Sequence, residues 1–259
     1  MQKSIPELLD ASLPNLCHQL PLPCSSDMSQ CLQEEDVQLM LAESDRYYCD
    51  RFAGIHGGLN STRLAMYPFM KEIADHLVRA AVHDRDDDDR SDAAEKLSVF
   101  SGHDTVIAPV LAALGVYNGA LCYWPPYASR IVFELYRQHS PPNDSTVEAG
   151  QWTRASTGLR QLYPPSESTN SAVEPAAFSP QQQSFYSRAF VRILFNGEDI
   201  TEGVPACSYE GPSHPPPPSP SVHGELTGGR MCPLDRYLRQ VHSLLAPHRG
   251  LDLACQIRS

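Results

Sequence analysis

Apolar residues recur at helical spacing in five stretches of this chain and alternate in three short runs. Met66, Phe69, Met70, Ile73 and Leu77 follow i, i+3, i+4, i+7, i+11, which lays one apolar stripe along a helix from Thr62 to Val82. Ile5, Leu8, Leu9, Leu13 and Leu16 form a shorter helical pattern, followed by a loop of Cys, Pro and Ser. Val37, Met40 and Leu41 predict a helix from Glu34 to Phe52, with Tyr47 and Tyr48 further along it. Pro233 stands at a favoured first helical position, and Leu234, Tyr237, Leu238, Val241, Leu244 and Leu245 make the stripe behind it. The β-prone runs are Leu97 to Phe100, Ile131 to Tyr136 and Phe190 to Phe195. Asn196-Gly197 is a hairpin turn pair that leads into Glu198 to Thr201. On the second run Ile131, Phe133 and Leu135 share a face, while Glu134 points the other way, to a site floor or a sheet edge.

The fifth helical pattern carries the candidate chemistry. In Lys96 to Val116 the apolar run stops at Ser101-Gly102. Val106, Val110, Ala113 and Leu114 then fall on one helical face, and Gly115 can close the helix. Pro109 fits near the first turn, where its missing N–H costs little. His103 and Asp104 therefore lie between a predicted strand end and a helix start. In open α/β sheets ligands bind at such junctions, because helix N-terminal amides face a bound anion. A histidine can bond a phosphate oxygen there, and an adjacent carboxyl can protonate a leaving oxygen. By local pattern alone, Asp104 or Thr105 also reads as a helix cap and His103 as a surface histidine.

Net charge is −11, from 20 basic and 31 acidic residues, which argues against nucleic acid or an anionic membrane as partner. A phosphorylated substrate remains compatible, since a site can be locally positive. The eight cysteines, at positions 17, 24, 31, 49, 122, 207, 232 and 255, show no metal-type spacing, so no metal is expected. Their even number suits disulfides in an oxidising compartment. Cys24 and Cys31 can close a small loop, and Cys207 and Cys232 flank a Pro-rich stretch. The sequons at Asn60 and Asn143 point to the secretory pathway as well. No run of about 18 apolar residues exists and Met1 opens no leader pattern, so a missing N-terminal portion is expected.

Four stretches yield no chemistry. Residues 140–186 and 208–230, the latter with Pro215 to Pro218, are poor in large aliphatics and read as flexible insertions. The acidic run Asp84 to Glu95 fits a calcium-loop frame at five positions, but Asp89 stands where that loop needs glycine, and a solvated linker is expected. His56, in AGIHGG, lacks the arginines that would support a phosphate contact and reads as a loop histidine.

SGHDT followed by an apolar helix ending in ALG resembles the second signature of the histidine acid phosphatases, clade 2 of the histidine phosphatase superfamily. WPPYASRIVFELYR (Trp124 to Arg137), VRILFNGEDIT (Val191 to Thr201) and MCPLDRYL (Met231 to Leu238) resemble the same family, in the same order. The likeness covers roughly residues 35–137 and 187–245, in pieces. It implies an α/β fold, a doubly wound sheet with a helical cap, incomplete at the N-terminus. Residues 1–83 would be mostly cap, 96–139 and 187–205 core, and 231–246 the C-terminal helix.

The resemblance also implies hydrolysis of phosphomonoesters through a phosphohistidine, without cofactor, on a phosphorylated sugar or glycan. Asp104 would be the proton donor and His103 a phosphate ligand. The implied location is the Golgi lumen, or a lysosomal or secreted setting. The family's nucleophile lies in RHGxRxP, and these 259 residues contain no such run. Ile55-His56-Gly57 lacks the arginine, and Pro247-His248-Arg249-Gly250 has the wrong order. The nucleophile is thus expected in a missing N-terminal half of the same domain, and the chain alone is expected to be inactive. The alternatives are a broad acid phosphatase, a phytase-like enzyme, and a truncated non-catalytic isoform that binds a partner.

Overall fold

The computed structural model describes residues 5–54, 58–82, 97–138, 152–154, 189–208 and 231–245. Helices α1 (Ile5–Cys17), α2 (Glu34–Ala53) and α3 (Gly58–Val82) precede α4 (Asp104–Leu114), and α5 (Leu234–Ser243) follows the sheet. Strands β1 (Ile131–Gln138), β2 (Trp152–Arg154), β3 (Ala189–Phe195), β4 (Glu198–Asp199) and β5 (Cys232–Pro233) form one sheet. Its order is β2-β1-β3-β4, with β5 also on β3, and every pairing is antiparallel.

Helix α2 starts where Glu34, Glu35 and Asp36 complement the positive helix end, and the Gln33 N–H donates to Asp36 at 2.9 Å. Helix α3 begins four residues earlier than its stripe predicts and continues through Pro68. Met70, Ile73, Ala74, Leu77, Val78 and Ala81 are buried along it, with Met66 and Phe69 partly so. Helix α4 is apolar on all sides. Residues 108–114 are all buried, as an enclosed helix requires. Gly115 closes α4 at φ 84°, a left-handed conformation that glycine adopts without a Cβ penalty.

Strands β1 and β3 place Leu135, Val191, Ile193 and Phe195 in the main core against α3, α4 and α5. The other face carries a smaller cluster of Tyr136, Phe190 and Met231. There Glu134 lies cross-strand from Arg192, at 3.7 Å, and accepts a hydrogen bond from Tyr136 Oη at 2.9 Å. Arg192 also pairs with Asp199 at 2.7 Å.

Five local expectations change. Leu97 to Phe100 is no strand, because among the described residues no neighbouring strand completes a ladder with it; Leu97 and Val99 are 77% and 80% exposed. Pro109 lies in the second turn of α4 rather than the first, which removes the ladder bond to the Thr105 carbonyl. Pro233 sits just outside α5, as its N-cap and the last residue of β5. The second hairpin arm stops at Asp199, and Thr201 opens a 3-10 turn. Within 140–186, Trp152–Arg154 joins the sheet beside β1. The other residues of that stretch, 209–230 and the acidic run 84–95 lie outside the described residues.

Disulfides join Cys24 to Cys31, Cys49 to Cys122 and Cys207 to Cys232. No helix among the described residues is long and apolar enough to cross a membrane.

Candidate active site

The site starts at the N-terminus of α4. His103 is the last extended residue before the helix, at φ −111° and ψ 174°. Its carbonyl accepts the N–H groups of Val106 and Ile107 at 2.9 and 3.0 Å. Asp104 is the first helical residue, and its Oδ1 accepts the Thr105 N–H at 2.7 Å. Those three amides are therefore used within the chain. What the helix offers a ligand here is chiefly its positive end, together with the exposed imidazole of His103, which makes no capping bond.

The second oxygen of Asp104 is held by two side chains far away in sequence. Tyr48 Oη, from α2, donates to Oδ2 at 2.6 Å, and the indole Nε1 of Trp124 donates to the same atom. Both donors are fixed in turn. The Trp124 backbone N–H donates to Asp45 Oδ1 at 2.8 Å, three residues before Tyr48 on α2. The Cys49–Cys122 disulfide fastens the residue after Tyr48 to the loop that carries Trp124. The Tyr48 ring packs 6.1 Å from that of Trp124 and 5.4 Å from that of Phe52. Tyr127 stacks edge-on to Trp124, and its hydroxyl donates to Asp10 at 3.3 Å.

These contacts set the charge. Burial pushes the Asp104 carboxyl up, but the bonds from Tyr48, Trp124 and the Thr105 amide, with His103 beside them, hold it below the ordinary aspartate range. Burial first, then the Asp104 carboxylate, pushes the Tyr48 phenol well above its usual value. At neutral pH the pair is a carboxylate and a neutral phenol. Such a carboxylate becomes a proton donor once acid or a neighbouring anion loads it.

The structure thus brings His103 and Asp104 to one helix end. Tyr48, Trp124, Cys49 and Cys122 complete the arrangement, although no local pattern marked them. The available signal was weak: a half-buried phenol and indole each look for a hydrogen-bond acceptor. Asn60 is exposed in the first turn of α3, while Asn143, His56 and His248 lie outside the described residues. Among the described residues no cluster suited to a metal ion occurs. A groove of about 1240 Å³ runs between α2 and the start of α3, lined by Arg46, Tyr47, Arg51 and Ser61. Thr105 and Pro109 form part of its wall, but His103 and Asp104 do not line it.

Comparison with known proteins bears on this geometry. The model of the histidine phosphatase superfamily (branch 2) matches residues 25–154. The 2-phosphoxylose phosphatase 1 of Danio rerio is 27% identical over 239 residues, 89% of this chain and 36% of the relative. Its counterpart in Rattus norvegicus is 24% identical over 236 residues, 90% of this chain and 34% of the relative. The prostatic acid phosphatase of Homo sapiens is 34% identical over 119 residues, 45% of this chain and 28% of the relative. The chain spans about a third of the length of these relatives. No solved structure matches it.

Proposed function

We infer that this chain, which belongs to branch 2 of the histidine phosphatase superfamily, supplies the phosphate-contacting and proton-donating part of a phosphomonoester hydrolase. The observation that carries this reading is Asp104, a carboxyl built into a helix N-terminus and held by three hydrogen bonds beside an exposed histidine. His103 contacts a phosphate oxygen. The bound phosphate brings negative charge next to Asp104 and raises its proton affinity, which loads the donor. A histidine attacks phosphorus as the ester P–O bond breaks, and the Asp104 proton goes to the departing alkoxide. Water then attacks the phosphohistidine and gives its proton to the Asp104 carboxylate.

The attacking histidine and the arginines that hold the phosphate are assigned to sequence outside these 259 residues, since no RHGxRxP run occurs within them. A doubly wound sheet for the complete domain belongs to the same proposal, supported by the family match over residues 25–154. The substrate reading is a phosphorylated sugar of the 2-phosphoxylose kind, supported by the names of the relatives that align with most of this chain. A broader acid phosphatase is the second reading, supported by the 34% identity to the human prostatic enzyme. Three disulfides among the described residues favour an oxidising compartment, the secretory pathway and within it the Golgi lumen.

The test is Asp104→Ala in a complete protein, assayed on a sugar phosphate and on nitrophenyl phosphate. Proton donation is typically worth about 10²–10⁴ in rate, so turnover of the sugar phosphate should fall by that order. Nitrophenolate leaves without protonation, and its loss should be much smaller. Equal losses on both substrates would remove Asp104 from the donor role. His103→Ala should weaken phosphate binding for both. Metal-free turnover by the 259-residue chain alone would overturn the assignment of the nucleophile elsewhere.

A further inference from the structure

We propose that Trp124 is a positioning residue that decides which oxygen of Asp104 carries the transferable proton. Its indole N–H keeps Oδ2 unprotonated, and the proton rides on Oδ1. The proposal deepens the phosphatase reading and rests on it for the use of that proton.

A carboxylate oxygen has two lone-pair directions. Oδ2 fills both, with Tyr48 Oη at 2.6 Å and Trp124 Nε1. Among the described residues Oδ1 receives only the Thr105 N–H, at 2.7 Å, and keeps one direction open. The two side-chain donors differ chemically. A phenol can donate or accept, so Tyr48 can reverse its bond when Asp104 is protonated, whereas an indole N–H only donates. Protonation at Oδ2 would set a proton against the indole N–H, while protonation at Oδ1 breaks nothing.

Trp124 is well placed to hold this line. Its own N–H is bonded to Asp45 on α2, and Cys122, two residues before it, is bonded to Cys49. The charged and titratable groups around Asp104 are His103 beside it, Tyr48 and Asp45 from α2, and Tyr127 from the Trp124 loop. Among the groups bonded directly to the carboxylate, Trp124 is the side chain that cannot change its hydrogen-bonding role.

The test reads the carboxyl itself. With aspartate side-chain carbons labelled with ¹³C, the titration midpoint of Asp104 is followed by NMR in the wild type, Trp124→Phe and Tyr48→Phe. Trp124→Phe should raise the midpoint by about one pH unit, a tenfold change in proton affinity worth about 1.4 kcal/mol. Tyr48→Phe should raise it less: with the indole N–H still on Oδ2 the proton stays on Oδ1, whereas loss of that N–H also lets a proton enter Oδ2 with Tyr48 turned to accept it. If Trp124→Phe does not fold, benzothienylalanine at position 124 keeps the bicyclic ring and deletes only the N–H, with the same rise expected. A midpoint that moves by less than about 0.3 unit on loss of the indole N–H, or one that Tyr48→Phe moves as far, would overturn the proposal. The readout needs no turnover, so it stands or falls separately from the phosphatase assays.

Discussion

Cys49 is bonded to Cys122, and the bond ties the later part of α2 to the loop that delivers Trp124 to Asp104. It spans 73 residues, against 25 for Cys207–Cys232 and 7 for Cys24–Cys31. Loop closure restricts the unfolded chain more as the loop lengthens. The chain-entropy relation gives roughly 4.4, 3.5 and 2.4 kcal/mol for the three bridges in that order. Replacing each pair by serine and measuring urea unfolding should reproduce the ranking. A loss for Cys24–Cys31 as large as that for Cys49–Cys122 would contradict it.

Asp104 should also make stability depend on pH, with a definite sign. Its carboxyl is more acidic in the folded chain than the ordinary aspartate value of about 3.9, so the folded state favours the ionised form. That stabilisation is complete above about pH 3.9 and is lost as pH falls through the lower folded value. Asp104→Asn should therefore be less stable than the wild type at pH 7, and the gap should close in acid below about pH 3.9. Thermal unfolding across pH 2 to 7 measures it, the bounds being set by that window (about two units below and three above). A gap that is constant with pH would mean that the charge of Asp104 does not stabilise the fold.

Gly115 ends the helix that carries the site, and it has no spare room. At φ 84° a Cβ would meet Pro205 Cδ at 2.9 Å, and Pro205 begins the turn that leads to the Cys207 disulfide. The left-handed conformation alone costs a residue with a Cβ about 1–2 kcal/mol, and the contact adds to it. Gly115→Ala should lower stability by about 2 kcal/mol or more in denaturant unfolding. A loss under about 0.5 kcal/mol would show that the turn at Pro205 yields freely.

Much of this fold was legible because it is locally encoded. The stripe at Met70, Ile73 and Leu77, the alternation at Ile131, Phe133 and Leu135, and the Asn196-Gly197 turn each state their structure within a few residues. What was not legible depends on distant partners. Leu97 to Phe100 has strand composition, yet a strand exists only with a neighbour, and periodicity carries no information about neighbours. In the site, His103 and Asp104 stood out as a pair. Tyr48 and Trp124 did not, since they reach Asp104 from 56 residues before it and 20 residues after it. Cysteine spacing likewise could not pair Cys49 with Cys122.

The early end of β4 leads to the last prediction. After Asp199 one more backbone bond reaches β3, from the Ile200 N–H to the Ile193 carbonyl at 2.9 Å, and the Thr201 side chain then takes over the backbone's role for the Ile193 N–H. Its Oγ1 accepts the Ile193 N–H at 2.8 Å and donates to Asp199 Oδ1 at 2.6 Å, while Thr201 and Ile193 are 1% and 0% exposed. Thr201→Val keeps the shape and leaves the Ile193 N–H buried without an acceptor, which should cost about 1–3 kcal/mol. Thr201→Ser keeps the oxygen and loses only a methyl group, worth about 1 kcal/mol. Urea unfolding of both variants separates the two effects, and faster amide exchange at Ile193 should appear in the valine variant alone. If serine costs as much as valine, the hydroxyl is not what completes the end of β3, and packing of the methyl group is.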